Sequence, residues 1–198
     1  MDQKTIDAYN ELAETYDEET TDFWNIFPRT FLDKFIGSVK GKVLDVGSGP
    51  GRDGLILKNN GLEVTCIDAS KAMVKISSER GLDSMVGDFM KMPFTGKSFD
   101  GVWAYTSLLH IERRHIDKAL AEIVRVLKDG GVLGLGLVEG DWEGYRESSD
   151  VKMPRWFCYY KKEEIEDILK RHGFHVEYFE SFKPKSKNYL NFVARKSQ

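Results

Sequence analysis

Lys42-Val43-Leu44-Asp45-Val46 reads as a short buried strand that runs without a spacer into Gly47-Ser48-Gly49-Pro50-Gly51, and then into a helix that Asn60-Gly61 closes. No other stretch restricts the fold as strongly. A strand that turns sharply into a helix is normally answered by a second, parallel strand on the far side of that helix. The following sequence supplies such strands at 62–67, 84–86, 99–105 and 132–138, and two more at 174–179 and 189–194. Between them, helices are predicted at 71–79, with Ser70 as N-cap, at 115–127 and at 162–171, which Gly173 stops. In the 115–127 helix Ile116, Leu120, Ile123, Val124 and Leu127 fall on one side. Residues 88–93 read as loop, Asp129-Gly130-Gly131 as a tight turn and 139–154 as a long loop.

Two helical stretches precede this pattern. One covers 4–16, with Ile6, Tyr9, Ala13 and Tyr16 on one face. The other carries Phe23, Trp24, Phe27, Phe31, Phe35 and Ile36 and is interrupted near Pro28. Alternating strands and helices imply an α/β, doubly wound, mostly parallel sheet with helices on both faces. Such sheets bind ligands outside the carboxyl ends of their strands, where the strand order reverses. The informative residues are therefore those just after each strand.

The chain has 198 residues, enough for one domain with its own core, and 41% of them are hydrophobic against 31% charged, a soluble globular profile. A net charge of −3 gives no basic field for nucleic acid, and Lys183-Pro184-Lys185-Ser186-Lys187 reads as a solvated loop. Cys66 and Cys158 have no metal-binding spacing and read as buried structural thiols, and no metal site is expected. Met1-Asp2-Gln3-Lys4 opens no apolar signal segment, and no apolar run approaches the ~20 residues that span a membrane, so a cytoplasmic protein without membrane partners is expected.

The glycine loop admits two cofactor readings. Gly49-Pro50-Gly51-Arg52-Asp53-Gly54 fits a dinucleotide fingerprint letter by letter, while Gly47, Gly49 and Gly51 alternate directly after the strand. Both use the same physics: glycine lets the backbone approach a ligand closely, and the following helix offers unpaired N–H groups. Asp45 separates them. A carboxylate at the end of a buried strand is costly without a partner. Asp45 is therefore expected either to be satisfied by nearby backbone N–H groups, or to organise the loop and meet a cationic ligand group.

Val43-Leu44-Asp45-Val46-Gly47-Ser48-Gly49-Pro50-Gly51 resembles the first motif of class I S-adenosylmethionine-dependent methyltransferases, and the resemblance runs from Tyr9 to about Ala194. It implies a Rossmann-like seven-stranded sheet under an N-terminal helical lid. It also implies S-adenosylmethionine as cofactor and S-adenosylhomocysteine as product. Asp68, followed by Ala69, would then accept the ribose hydroxyls, although dinucleotide enzymes place an acid there too. Asp88 and Phe89 would meet the adenine. Tyr9 and Tyr16, two helical turns apart, are either core aromatics or part of the lid over the cofactor.

The cofactor set is thus Asp45, Gly47, Ser48, Gly49, Gly51, Asp68, Ala69, Asp88, Phe89, Tyr9 and Tyr16. Ser98 to Tyr105 resembles the fourth-strand motif, which places Tyr105 and Ala104 where methyl donor meets acceptor, with Asp100 at the structural end. Leu108-Leu109-His110-Ile111 resembles a segment of small-molecule members, in which His110 is either structural or a base. Tyr105 and His110 are the catalytic candidates, and Arg29 is a further pocket candidate without a spacing argument.

Ala104-Tyr105-Thr106-Ser107 is not the Asn/Asp-Pro-Pro-aromatic motif of nucleic-acid amino methyltransferases, and no Pro-Cys pair supports a covalent cytosine mechanism. Transfer to a small molecule by in-line displacement is the reading these features favour. The alternatives are a protein or RNA methyltransferase, a nicotinamide-dependent oxidoreductase, and a non-catalytic binding protein of the same fold. A single domain over 1–198 is expected: a lid over 1–40, a cofactor-binding core over 41–138, and an acceptor side over 139–198. On that side the segments Glu139 to Arg146 and Arg155 to Tyr160 would shape the acceptor pocket.

Overall fold

The computed structural model describes residues 2–147, 153–184 and 186–197. Four short helices come first: α1 (Gln3–Glu11), α2 (Ala13–Thr20), α3 (Phe23–Ile26) and α4 (Thr30–Ser38). The core then runs β1 (Lys42–Val46), α5 (Arg52–Asn59), β2 (Glu63–Asp68), α6 (Lys71–Glu79), β3 (Asp83–Val86), β4 (Phe99–Tyr105), α7 (Ile116–Val126) and β5 (Leu127–Val138). After it come β6 (Trp142–Arg146), β7 (Arg155–Tyr159), α8 (Lys162–Arg171), β8 (Phe174–Phe182) and β9 (Tyr189–Lys196).

Seven strands form one sheet in the order β3-β2-β1-β4-β5-β9-β8. β1 to β5 pair in parallel, and β9 runs antiparallel to both of its neighbours. Side chains alternate across the sheet as period two demands. Leu44, Val46, Val102 and Ala104 face a core closed by α7 and α8, while Val43 and Trp103 face one closed by Phe31, Leu32 and Phe35 of α4 and Leu57 of α5. Asp45 shares a side of β1 with Val43. The strand order reverses between β1 and β4, so the crevice lies above their carboxyl ends.

Four differences from the sequence expectations have local causes. The predicted 4–16 helix is broken at Leu12 (φ −107, ψ 18), and the break lets the Tyr9 and Tyr16 rings meet edge to face, centroids 5.5 Å apart. Gly130 takes φ +73 as expected of a turn, but the Asp129-Gly130-Gly131 segment lies inside β5, where the β4–β5 register jumps between Phe99/Leu127 and Gly101/Val132. The predicted 139–154 loop contains β6, which pairs antiparallel with β7, Trp142 opposite Tyr159 and Arg146 opposite Arg155. Residues 148–152 of that loop, and Lys185 of the basic segment, lie outside the described residues. Arg29 ion-pairs with Asp33 on the exposed side of α4 and is absent from the cavity lining, which corrects its candidacy.

Asp100 has the structural role expected of it: it holds Lys128 Nζ at 2.7 Å and the Lys42 N–H at 2.9 Å, far from the crevice. Among the described residues no helix is long and apolar enough to cross a membrane.

Candidate active site

A cavity opens at the β1–β4 switch point, with about 660 Å³ of space including its mouth. Its floor is the turn after β1, where Gly47, Gly49 and Gly51 take φ of +67, +54 and +80. At Gly47 the requirement is double, because a Cβ there would also stand 2.3 Å from Cβ of Ser107. From the sequence-derived set, Tyr9, Tyr16, Asp45, Gly47, Ser48, Gly49, Asp68, Phe89, Tyr105 and His110 line the cavity. Gly51, Ala69 and Asp88 do not. Gly51 is the N-cap of α5 and packs under Ser77 and Leu82, and Asp88 turns an oxygen back to the Met90 N–H at 2.8 Å.

The acids are treated unequally. Asp45 is 2% exposed, and its Oδ2 has no hydrogen-bond partner among the described residues. Burial, with Asp53 and Asp68 nearby, holds its carboxyl well above the usual range. The Gly54 backbone N–H offsets that rise only in part, and Oδ2 is left without a hydrogen bond of normal geometry. Asp68 is bound on both oxygens: Oδ2 accepts from the Gly49 N–H at 2.9 Å and Oδ1 from the Ser70 N–H at 2.8 Å. Burial still raises its carboxyl, against those backbone donors. Ser70 in turn caps α6, as read from the sequence, and holds Asn10 of α1 at 2.9 Å.

Sequence reasoning missed Pro50, Arg52, Asp53, Met73, Thr106 and Ser107, which also line the cavity. In the sequence Asp53 is only a filler letter of the glycine pattern. It accepts from Trp24 Nε1 at 2.7 Å, Trp103 Nε1 at 2.9 Å and Arg52 Nε at 3.0 Å, which ties α3 to the cavity floor. Trp24 and Trp103 stand 29 and 50 residues from Asp53 in sequence, and only folding brings them to one carboxylate. Arg52 also donates to the Thr20 carbonyl and lies over the Phe23 ring.

The remaining wall is aromatic. Tyr105 is buried and stacks on Trp103, and burial lifts its phenol well above the ordinary range. His110 Nδ1 faces the Trp156 carbonyl at 2.7 Å; a carbonyl only accepts, so Nδ1 carries the proton. Nε2 then accepts from the Tyr9 hydroxyl at 2.8 Å, and that oxygen accepts from Arg155 Nη1 at 2.8 Å. Burial depresses His110 to about 3, so the imidazole is neutral. The same chain fastens α1 to β7, where the Trp156 N–H donates to Thr5 Oγ1 at 2.8 Å.

Residues 44–135 match the family described as a methyltransferase domain. Among curated proteins, the chain is 38% identical over 101 residues to a demethylmenaquinone methyltransferase of Renibacterium salmoninarum, covering 50% of this chain and 42% of that one. The chain thus spans less than half the length of that relative.

Two solved structures share the fold over nearly the whole chain. The DhpI–S-adenosylhomocysteine complex has TM-score 0.78 at 20% identity, covering 98% of this chain and 96% of that one. The Burkholderia thailandensis 1,6-didemethyltoxoflavin-N1-methyltransferase, with its acceptor and S-adenosylhomocysteine bound, has TM-score 0.71 at 18% identity, covering 98% and 88%.

Proposed function

We propose that this chain, whose residues 44–135 match a methyltransferase-domain family, is a class I S-adenosylmethionine-dependent methyltransferase, that its cavity binds S-adenosylmethionine and that it methylates a small molecule. The observation that carries this reading is Asp45, a buried acid in the cavity lining whose Oδ2 has no hydrogen-bond partner among the described residues. An acid left without a partner needs a cation from the ligand, and the amino-acid end of the cofactor has an ammonium. A dinucleotide offers no such group at this position, so the oxygen also favours the sulfonium reading over the nicotinamide one.

The remaining lining fits the same group. Asp68 keeps free lone pairs for ribose hydroxyls while the Gly49 and Ser70 N–H groups fix its orientation. Phe89, with 2% exposure, gives a flat apolar wall for a base. Tyr9 and Tyr16 of the N-terminal helices line the cavity, where they would cover the cofactor and exclude water. When bound, the cofactor supplies an already activated methyl group on its sulfonium. What remains for the chain is alignment and desolvation.

Tyr105 and His110 stand at the acceptor end in this reading. His110 is neutral, but its Nε2 lone pair is engaged by Tyr9, so it takes a proton from an acceptor only after Tyr9 turns away. The pair therefore serves first to position the acceptor and the α1–β7 cover. A small-molecule acceptor is supported by the similar proteins, which are named for demethylmenaquinone and for 1,6-didemethyltoxoflavin, and by the net charge of −3.

The test is transfer of labelled methyl from S-adenosylmethionine into a cell extract. Label is expected in the small-molecule fraction, and label confined to RNA or protein would contradict the acceptor class.

A further inference from the structure

Besides Asp45, two residues lining the same cavity have a hydroxyl without a hydrogen-bond partner among the described residues, Ser48 in the glycine loop and Ser107 after β4. Ser107 follows β4, is 6% exposed, lines the cavity, and its Oγ has no hydrogen-bond partner among the described residues. Its position is imposed by the backbone. Thr106, a β-branched residue, is held at φ +53, where few such residues are found, and its N–H donates to the Gly136 carbonyl at 2.9 Å. Strain of this kind collects where a side chain must be aimed at a ligand. The turn brings Cβ of Ser107 against Gly47, close enough that any side chain at 47 would collide with it. Ser107, just after β4, and Asp45, at the end of β1, thus line the same cavity.

We propose that Ser107 Oγ is a second acceptor for the cofactor's ammonium, beside Asp45 Oδ2; the assignment rests on the cofactor reading above. An ammonium has three N–H donors, and one carboxylate oxygen satisfies only one of them well. Asp68 does not supply the next acceptor, because in the reading above its free lone pairs, at the end of β2, are taken by the ribose hydroxyls. A hydroxyl that is buried without a partner in the empty protein gains one when the ammonium arrives. Ser107 thus makes the site selective for a primary amine over a deaminated ligand.

Removing an unsatisfied buried hydroxyl should stabilise the empty protein, whereas removing a ligand contact should weaken binding. Ser107→Ala keeps the Cβ that packs on Gly47, so the two effects can be read with opposite signs. The experiment titrates wild type and Ser107→Ala with S-adenosylhomocysteine, and with its analogue in which the α-amino group is replaced by hydrogen, and records the Tm of each ligand-free protein.

The variant is expected to bind S-adenosylhomocysteine about 10- to 100-fold more weakly, to bind the deaminated analogue as wild type does, and to melt higher when empty. Equal loss for both ligands, no loss for either, or a lower Tm of the empty variant would overturn the assignment. If wild type binds neither ligand, the cofactor reading fails first and the Ser107 role falls with it.

Discussion

The Tyr9 hydroxyl and Nε2 of His110 lie 2.8 Å apart, and the proton fixed on Nδ1 by the Trp156 carbonyl makes Tyr9 the donor. His110 is thereby held neutral, with its protonation depressed from 6.5 to about 3 by burial. The unfolded chain takes up this proton first. Stability from the neutral ring is fully present above about pH 6.5 and is lost as pH falls toward 3, by up to ~1.4 kcal/mol per pH unit. Urea unfolding of wild type and His110→Gln at about pH 7 and about pH 4.5 should show wild type losing roughly 2 kcal/mol more than the variant over that interval. Parallel losses would mean that His110 titrates normally.

Asp45 works in the opposite direction. Its carboxyl is raised above 3.8, so its contribution is fully present below that value and is lost as pH rises through the folded value. Ligand-free Asp45→Asn should therefore gain stability over wild type progressively from acid to neutral pH, while binding S-adenosylhomocysteine at least about tenfold more weakly. Differential scanning across pH, followed by titration, checks both signs. A variant less stable than wild type at neutral pH would show that the charge is satisfied within the protein.

Gly47→Ala should be severe. The new Cβ meets Ser107 at 2.3 Å on a backbone with φ +67. Strain alone costs about 1–3 kcal/mol, and relief of the clash must move the Thr106–Ser107 turn. Denaturant melts should show that loss, with cofactor-product affinity falling in the same variant. A neutral Gly47→Ala would place the loop in another conformation.

Trp24→Phe keeps a ring in place but removes the 2.7 Å donor to Asp53. Leaving a buried carboxylate oxygen short of a donor costs about 1–3 kcal/mol. Trp103→Phe should act alike, and the double variant should lose less or more than the sum, because both indoles serve one carboxylate. Strict additivity in thermal unfolding would separate them.

Much of this architecture could be read from residues that decide their structure locally. Lys42–Val46, Lys71–Glu79, Phe99–Tyr105 and Lys162–Arg171 have the bounds that their apolar periods and the Ser70 cap suggest. The glycine loop and Asp68 also stand where strand-end logic puts them. What escaped depends on distant pairing. Trp142-Glu143-Gly144-Tyr145-Arg146 becomes a strand only because Arg155–Tyr159 comes to lie beside it, across a gap too long to read as a tight hairpin. Asp53 becomes part of the cavity through indoles from α3 and β4, and Ser107 through a strained Thr106 that no propensity favours. The tertiary fold, not the local sequence, decides those three.

The central claim, that the Asp45 cavity takes the sulfonium cofactor, is tested most directly by calorimetric titration of the wild-type protein with S-adenosylhomocysteine and, separately, with NADH. The account predicts one-to-one binding of S-adenosylhomocysteine with a Kd on the order of 1–100 μM and no heat from NADH at millimolar concentration. No binding of S-adenosylhomocysteine at millimolar concentration, or saturable binding of NADH in its place, would contradict it.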